Sequence, residues 1–167
     1  MDNALFIGRF QPFHLGHFKM VEYLLKGHDH VSLVIGSSQE SFTEKNPFTF
    51  DERKQMVLSC FPDCKRILVL GLEDSPNDNE VWIRNLLSVA PKFNVAYSHN
   101  PLVQSLLREK GFTVKDILFQ REMYEGTRIR KLLGQGKGLG LVPTPVLDYL
   151  KKIKGMERLK KLGHGTL

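Results

Sequence analysis

Ten residues near the N-terminus, "GRFQPFHLGH" (8–17), follow the apolar run "ALFI" and hold two glycines, an arginine, a proline and two histidines. His14 and His17 stand three apart, a spacing that turns both side chains toward one bound group at the start of a helix. Arg9 adds a fixed charge, Gly8 lets backbone approach a ligand, and Pro12 stiffens the turn. Gly16 keeps open a helix entrance whose unpaired N–H groups and positive dipole end favour an anion. A lone histidine near a helix start is ordinarily a cap or a surface group. Two of them, with glycine and arginine at the exit of a strand, form a phosphate site built to hold charge rather than to attack.

A second basic cluster lies at "EGTRIR" (125–130). Gly126 and Thr127 expose N–H groups at a helix start, and Arg128 and Arg130 bring forked donors for phosphate oxygens. Alone, this reads as a capped surface helix; beside the first motif it is a natural second clamp for phosphate. Trp82 is the only tryptophan and follows the polar loop "SPNDNEV". An indole there packs half-buried on a core, or stacks on a flat cationic ring.

The elements that must position these groups alternate. "ALFIG" (4–8), "VSLVIG" (31–36), "RILVLG" (66–71), "NVAYS" (94–98) and "TVKDILF" (113–119) read as strands, with amphipathic stretches at 17–26, 50–60, 79–89 and 101–110 between them. This order predicts an α/β, Rossmann-like, doubly wound parallel sheet of about five strands, whose ligands bind outside the carboxyl ends of the strands. Thr49 and Glu52 have capping-box spacing, Asn100 before Pro101 and Thr144 before Pro145 read as N-caps, and Gly111 as a helix stop. From about Tyr124 the rhythm gives way to short helices joined by "GQGKGLG", which is no Walker loop because Gly138 follows Lys137. The expectation is one domain over residues 1–167, a core at 1–120 with a small C-terminal helical extension at 121–167, and frayed ends in "GHGTL".

The net charge of +6 is uneven: six basic side chains face one acid, Glu157, between Lys151 and Leu167, so this tail carries +5 and the body only +1. That split excludes a nucleic-acid face spread over the domain, and a solvated helix face is the expected state of the tail. Cys60 and Cys64 lack a second ligand pair at zinc spacing and read as reduced thiols. No apolar run approaches the ~18 residues of a membrane span, and no secretory signal is visible, so a cytoplasmic protein is expected.

"GRFQPFHLGH" resembles the H-x-G-H motif of the nucleotidyltransferase superfamily, in the form carried by archaeal-type nicotinamide-nucleotide adenylyltransferases. "IGSSQESFTEKNPFTFDER" (35–53), "NEVW" (79–82), "SHNPLVQSLL" (98–107), "YEGTRIRKL" (124–132) and "LVPTPVLDYLKKIKGMERLKKL" (141–162) fall in the family order and extend the resemblance over nearly the whole chain. The resemblance implies joining of nicotinamide mononucleotide to the adenylyl group of ATP, giving NAD and pyrophosphate, in NAD biosynthesis. It implies His14, His17 and Arg130 as catalytic residues. Gly8, Arg9, Phe10, Gly16, Lys45, Thr127 and Arg128 bind ATP phosphate, with Lys45 standing where some relatives have arginine; Arg53 either functions or pairs with a helix acid. Gly36, Ser37 and Asn100 serve adenine and ribose. Trp82 stacks on nicotinamide, and Asn79 bonds its carboxamide, with Asn77 and Asp78 as alternatives. Glu125 stands where serine is usual and must turn outward or pair with Arg128; His99 replaces a common glycine. The resemblance also implies a homo-oligomer, a hexamer or another ring, with small-molecule substrates and no nucleic acid or membrane partner.

The acceptor phosphate is already anionic, so no general base and no enzyme nucleophile are needed. In-line alignment and charge neutralisation would supply the rate, with Mg²⁺ held by the phosphates rather than by a carboxylate cage. Three other readings compete: the same chemistry on phosphopantetheine or a flavin mononucleotide, a non-catalytic dinucleotide-binding module, and RNA binding through the basic tail.

Overall fold

The computed structural model describes residues 1–117, 119 and 122–165. Two compact units divide the chain: Met1–Gly8, Met20–Gln39 and Cys64–Leu118 form the first, and Arg9–Lys19, Glu40–Asp63 and Phe119–Leu167 the second.

The first unit is built on a five-stranded parallel sheet, β1 (Asn3–Gly8), β2 (His30–Ile35), β3 (Ile67–Gly71), β4 (Val95–Tyr97) and β5 (Thr113–Lys115), in the order β3-β2-β1-β4-β5. This is the Rossmann-like α/β sheet expected from the sequence. Strand order reverses between β1 and β4, and that reversal places a crevice at their carboxyl ends. Ala4 to Ile7 and Val31 to Ile35 are buried without alternation, as a sheet covered on both faces requires. On one face Leu5, Ile7, Val34 and Ala96 pack with Ile83 and Leu86 of α3 (Asn79–Val89) and with Val103, Leu106 and Leu107 of α4 (Pro101–Glu109). Asn100 caps α4 through its side-chain oxygen, with Pro101 in the first turn. Gly111, at φ 85°, ends the helix: its N–H bonds the Arg108 carbonyl and the Phe112 N–H bonds that of Leu107, a Schellman closure. β5 is shorter than the expected 113–119. The Asp116 carboxylate accepts the Ile117 N–H at 2.7 Å and turns the chain out of the ladder; Leu118, in the same expected strand, lies outside the described residues.

The second unit is helical: the first residues of α1 (Leu15–Gly27), then α2 (Phe50–Cys60), α5 (Gly126–Gly134), α6 (Thr144–Lys152) and α7 (Gly155–Lys161), around buried Phe48, Met56, Ile129, Leu133, Val146, Leu150 and Leu159. Thr49 and Glu52 form the expected capping box at α2. Thr144 is not an N-cap. Pro143 holds the cap position, the helix begins at Thr144, and no side chain bonds its first N–H groups. The glycine-rich link contains a 3-10 turn at Leu139–Leu141, with Gly136 and Gly138 at positive φ. The basic tail is exposed at Lys151, Lys152, Lys154, Lys160 and Lys161, but Arg158 forms a forked pair with Glu52 at 2.6 and 2.9 Å and also donates to the Pro47 carbonyl. Of "GHGTL", Thr166 and Leu167 lie outside the described residues, while His164 is buried, 2.7 Å from the Glu44 carbonyl. Cys60 and Cys64 are free, half-buried thiols, and burial pushes the Cys60 thiol up to about 11.

Candidate active site

Residues 9–14 are held by contacts to their backbone. Arg53 is fully buried; its Nη1 donates to the Arg9 carbonyl at 3.1 Å and its Nε to that of Thr49 at 3.2 Å. Rather than pairing with a helix acid in these bonds, Arg53 staples the loop to α2. Phe10 is buried at φ 51°, a left-handed conformation that a bulky residue adopts only where its surroundings impose it. The Gln11 side chain makes a two-point contact with the Phe48 backbone, donating to its carbonyl at 3.1 Å and accepting its N–H at 3.0 Å. From α5, Arg130 Nη1 donates to the Gln11 carbonyl at 3.0 Å, and its Nη2 to Thr127 Oγ1 at 3.2 Å.

The two histidines close the first turn of α1 by a reciprocal bond. The His17 N–H donates to His14 Nδ1 at 3.3 Å, and the His14 N–H to His17 Nδ1 at 3.2 Å. This is the topology of a capping box, with imidazoles in place of the hydroxyl and carboxylate. The rings stack at 3.5 Å with 15° between planes. With each Nδ1 an acceptor, the proton of each neutral ring belongs on Nε2, so both rings present a donor on the side away from the helix turn.

Arg130 is the electrostatic centre of the second unit. It is buried, and its Nε has no hydrogen-bond partner among the described residues. Burial, with the charge of Arg9, lowers its pKa to about 10 against the pull of Glu125 and Glu44. No ion pair to a carboxylate offsets it among the described residues. The N-terminus of α5 also lacks a side-chain cap at Glu125. A buried cation short of a partner, beside an uncapped helix start, favours an anion.

His14, His17, Arg9, Phe10, Gly16, Thr127 and Arg130 thus all belong to the second unit, where Arg130 joins Thr127 to the Gln11 carbonyl and the two histidines bond each other. Arg128 is exposed and donates to the Met123 carbonyl at 3.0 Å; it makes no ion pair with Glu125 among the described residues. Lys45 belongs to this unit too and is exposed.

The remaining candidates belong to the first unit. At the carboxyl ends of the strands, the Gly36 N–H bonds the Gly8 carbonyl at 2.9 Å, and Ser37 at φ 48° donates to Asp74 Oδ1 at 3.0 Å. Gln39 donates to the other Asp74 oxygen at 3.1 Å. A Cβ at Gly36 would meet nothing closer than 3.9 Å. The Asn100 oxygen is engaged by the α4 cap, and His99 leans on Asp116 at 2.8 Å. Asp78 caps α3 through the Val81 N–H, Asn77 sits at φ 61°, and Asn79 is the exposed first residue of the helix. Trp82 is half-buried and packs on the core of the sheet. Among the described residues, no group of His, Cys, Asp and Glu gathers as a metal site.

Sequence reasoning missed Gln11, Tyr124 and Asp74. Gln11 lies inside the quoted motif, but nothing local reveals a glutamine that will be buried. Tyr124 stacks on His14 with ring centroids 6.0 Å apart. The signal for it was Gly16, where a Cβ would lie 2.7 Å from that of Tyr124.

The cytidylyltransferase-like family matches the chain over residues 5–132. The chain belongs to that family. It is 41% identical to the nicotinamide-nucleotide adenylyltransferase of Methanolobus tindarius, over 97% of this chain and 95% of that protein. It is 44% identical to the protein of the same name from Sulfurisphaera tokodaii, over 95% and 96%. The resemblance read from the motifs is thereby borne out along the length of the chain. Among solved structures, a bifunctional NMN adenylyltransferase/ADP ribose pyrophosphatase from Francisella tularensis superposes with a TM-score of 0.79 at 23% identity, over 96% of this chain and 52% of that one. A second structure of the Francisella enzyme, complexed with AMP and a Mn ion, gives 0.76 at 22% identity, over 96% and 51%. The chain spans about half the length of these two structures, which establish the shared fold.

Proposed function

We propose that the protein is a nicotinamide-nucleotide adenylyltransferase, transferring the adenylyl group of ATP to nicotinamide mononucleotide and releasing pyrophosphate. One observation carries this reading: the stacked His14 and His17 follow the loop whose Gln11 carbonyl holds the under-partnered Arg130, in a chain 41% and 44% identical to two enzymes of that name over 95% and 96% of their length.

In this reading the Nε2–H groups of His14 and His17 donate to the polyphosphate, His17 beside the α-phosphate and His14 with Arg9 along the chain, while Arg130 holds the leaving pyrophosphate. Charge builds on bridging and terminal oxygens as the acceptor phosphate attacks in line, and fixed donors stabilise it without reorganising. Phe10, Gly8 and Gly16 shape the loop. Thr127, Lys45 and Arg128 add contacts to the outer phosphates, with lysine lacking arginine's fork. Gly36, Ser37 and Asn100 are assigned to the adenosine, and Trp82 to the nicotinamide ring. Asn79 is preferred over Asp78 and Asn77 for the carboxamide, since Asp78 already caps α3 and Asn77 forms the turn. A divalent ion, Mg²⁺ in this reading, arrives as part of the nucleotide substrate and is held by its phosphates. The whole chain is read as one cytoplasmic nucleotidyltransferase domain working as a homo-oligomer, a hexamer or another ring, which light scattering of the purified protein tests. No helix among the described residues is long and apolar enough to cross a membrane.

The deciding experiment incubates purified protein with ATP, Mg²⁺ and nicotinamide mononucleotide, and follows NAD by chromatography and pyrophosphate by a coupled assay. Equimolar NAD and pyrophosphate are expected. Turnover with phosphopantetheine or flavin mononucleotide instead would move the protein to another branch of the family, and nucleotide binding without pyrophosphate release would make it a silent module.

A further inference from the structure

The two histidines belong to a longer stack of rings. Phe13 lies against His17 with centroids 5.6 Å apart and 26° between planes, His17 against His14 at 3.5 Å and 15°, and His14 against Tyr124 at 6.0 Å and 17°. Phe10 meets His17 edge-on at 4.7 Å. Every ring in this column belongs to the second unit. Phe13 arrives from the same loop as the histidines, whereas Tyr124 arrives from the segment before α5, more than a hundred residues later in the chain. The reciprocal Nδ1 bonds limit how far each imidazole can turn. A flat partner nearly parallel to His14 narrows its orientation further.

Two observations show that the contact is built rather than incidental. A Cβ on Gly16 would lie 2.7 Å from Tyr124 Cβ and 3.1 Å from His14 Cε1, so the absence of a side chain at position 16 lets the tyrosine approach the imidazole. Lys19, one turn along α1, donates to the Tyr124 hydroxyl at 3.2 Å and sits 5.2 Å from its ring centroid. Its charge helps to hold the ring in place.

We infer that Tyr124 is a positioning residue for the His14–His17 pair, closing a four-ring column that fixes where the two Nε2–H donors point. It acts through His14 rather than by touching the reacting phosphates. The inference rests on the adenylyltransferase reading for its kinetic consequence, but its structural content can be read without turnover.

The test uses the full chain with Tyr124→Leu, which keeps apolar bulk without a flat face, and Tyr124→Phe, which keeps the face without the hydroxyl. Tyr124→Leu should lower kcat by about tenfold to a hundredfold, the scale of a misaimed group at a reacting centre. KM for ATP and for the mononucleotide should stay within about twofold, and Tyr124→Phe should remain near wild type. Gly16→Ala displaces the same ring from the other side and should reproduce the loss, while the double variant with Tyr124→Leu should be no worse than the worse single one. Imidazole ¹H–¹⁵N spectra of the ligand-free protein should show His14 and His17 as Nε2-protonated tautomers, the His14 signals moving in Tyr124→Leu and staying in Tyr124→Phe. Unmoved His14 signals in Tyr124→Leu, or additive losses in the double variant, would overturn the inference. A wild-type protein without turnover whose spectra still change as described would instead overturn the adenylyltransferase reading and leave the column standing.

Discussion

The loop 9–14 in the second unit and the segment 74–82 in the first carry the two ends of the proposed chemistry, and they are made differently. In the loop, backbone carbonyls and imidazole nitrogens are already bonded by Arg53, Arg130, Gln11 and the histidines themselves. The segment 74–82 runs from an exposed turn through an N-cap at Asp78 to an exposed Asn79 and a half-buried Trp82. A highly charged, invariant triphosphate rewards donors fixed before it arrives. A flat acceptor ring needs one hydrophobic face and a few adaptable contacts. Under the proposed function, the difference teaches that phosphate recognition would be a property of folding, while acceptor recognition would rest on a few side chains at the surface.

That contrast can be broken at several points. His17→Ala should lower kcat about a hundredfold to a thousandfold, as expected for loss of a fixed donor to transition-state charge, with the thermal transition still cooperative; near-normal turnover would remove His17 from the chemistry. Arg53→Met removes the guanidinium from the Arg9 carbonyl, while the Thr49 carbonyl keeps the backbone N–H of residue 53, and should cost about 1–3 kcal/mol if the Arg9 carbonyl stays buried, with a lowered Tm and a raised KM for ATP. Unchanged melting would mean that the loop holds without its staple. Trp82→Ala should raise KM for the mononucleotide about tenfold, the scale of a lost aromatic stack, and leave KM for ATP nearly alone. Equal effects on both substrates would reduce Trp82 to core packing.

The smallest effect tests the frame around the loop. Burial works to raise the Glu52 pKa, but the Arg158 guanidinium and the Thr49 N–H outweigh it and hold the carboxyl below its usual value. A lowered folded-state pKa stabilises the protein above the unfolded value of 4.5 and loses that contribution as pH falls through the folded one. Denaturation followed from pH 7 into acid should therefore show Glu52→Gln less stable at neutral pH, by about 1 kcal/mol, with the gap closing at low pH. A constant gap would assign the loss to the cap rather than to the charge.

The sheet and its helices were largely legible because apolar runs and capping residues are local. α2 and α3 have the residues expected of them, and the capping box at Thr49 and the stop at Gly111 are where the pattern puts them. Thr144 failed because Pro143 takes the extended cap conformation itself, leaving the threonine inside the helix. In the candidate site, residue types singled out His14, His17 and Arg130, but not the contacts that hold them. Gln11 reaches Phe48 across 37 positions and Arg130 reaches Gln11 across 119, distances over which no sequence periodicity speaks. Arg53 and Arg158 show the same limit: in sequence the first reads as functional or paired with a helix acid and the second as part of a solvated tail, and each ends on an oxygen that only the folded chain supplies.

The two guanidiniums on the Arg9 and Gln11 carbonyls have one more effect. A peptide carbonyl is the negative end of a dipole, and an uncovered one would repel an incoming polyanion as firmly as an N–H would welcome it. By covering those two oxygens, Arg53 and Arg130 take two negative dipole ends away from the surface of the loop. Under the proposed function, part of the preference for a polyanion would then be inherited from the main chain rather than from the rim.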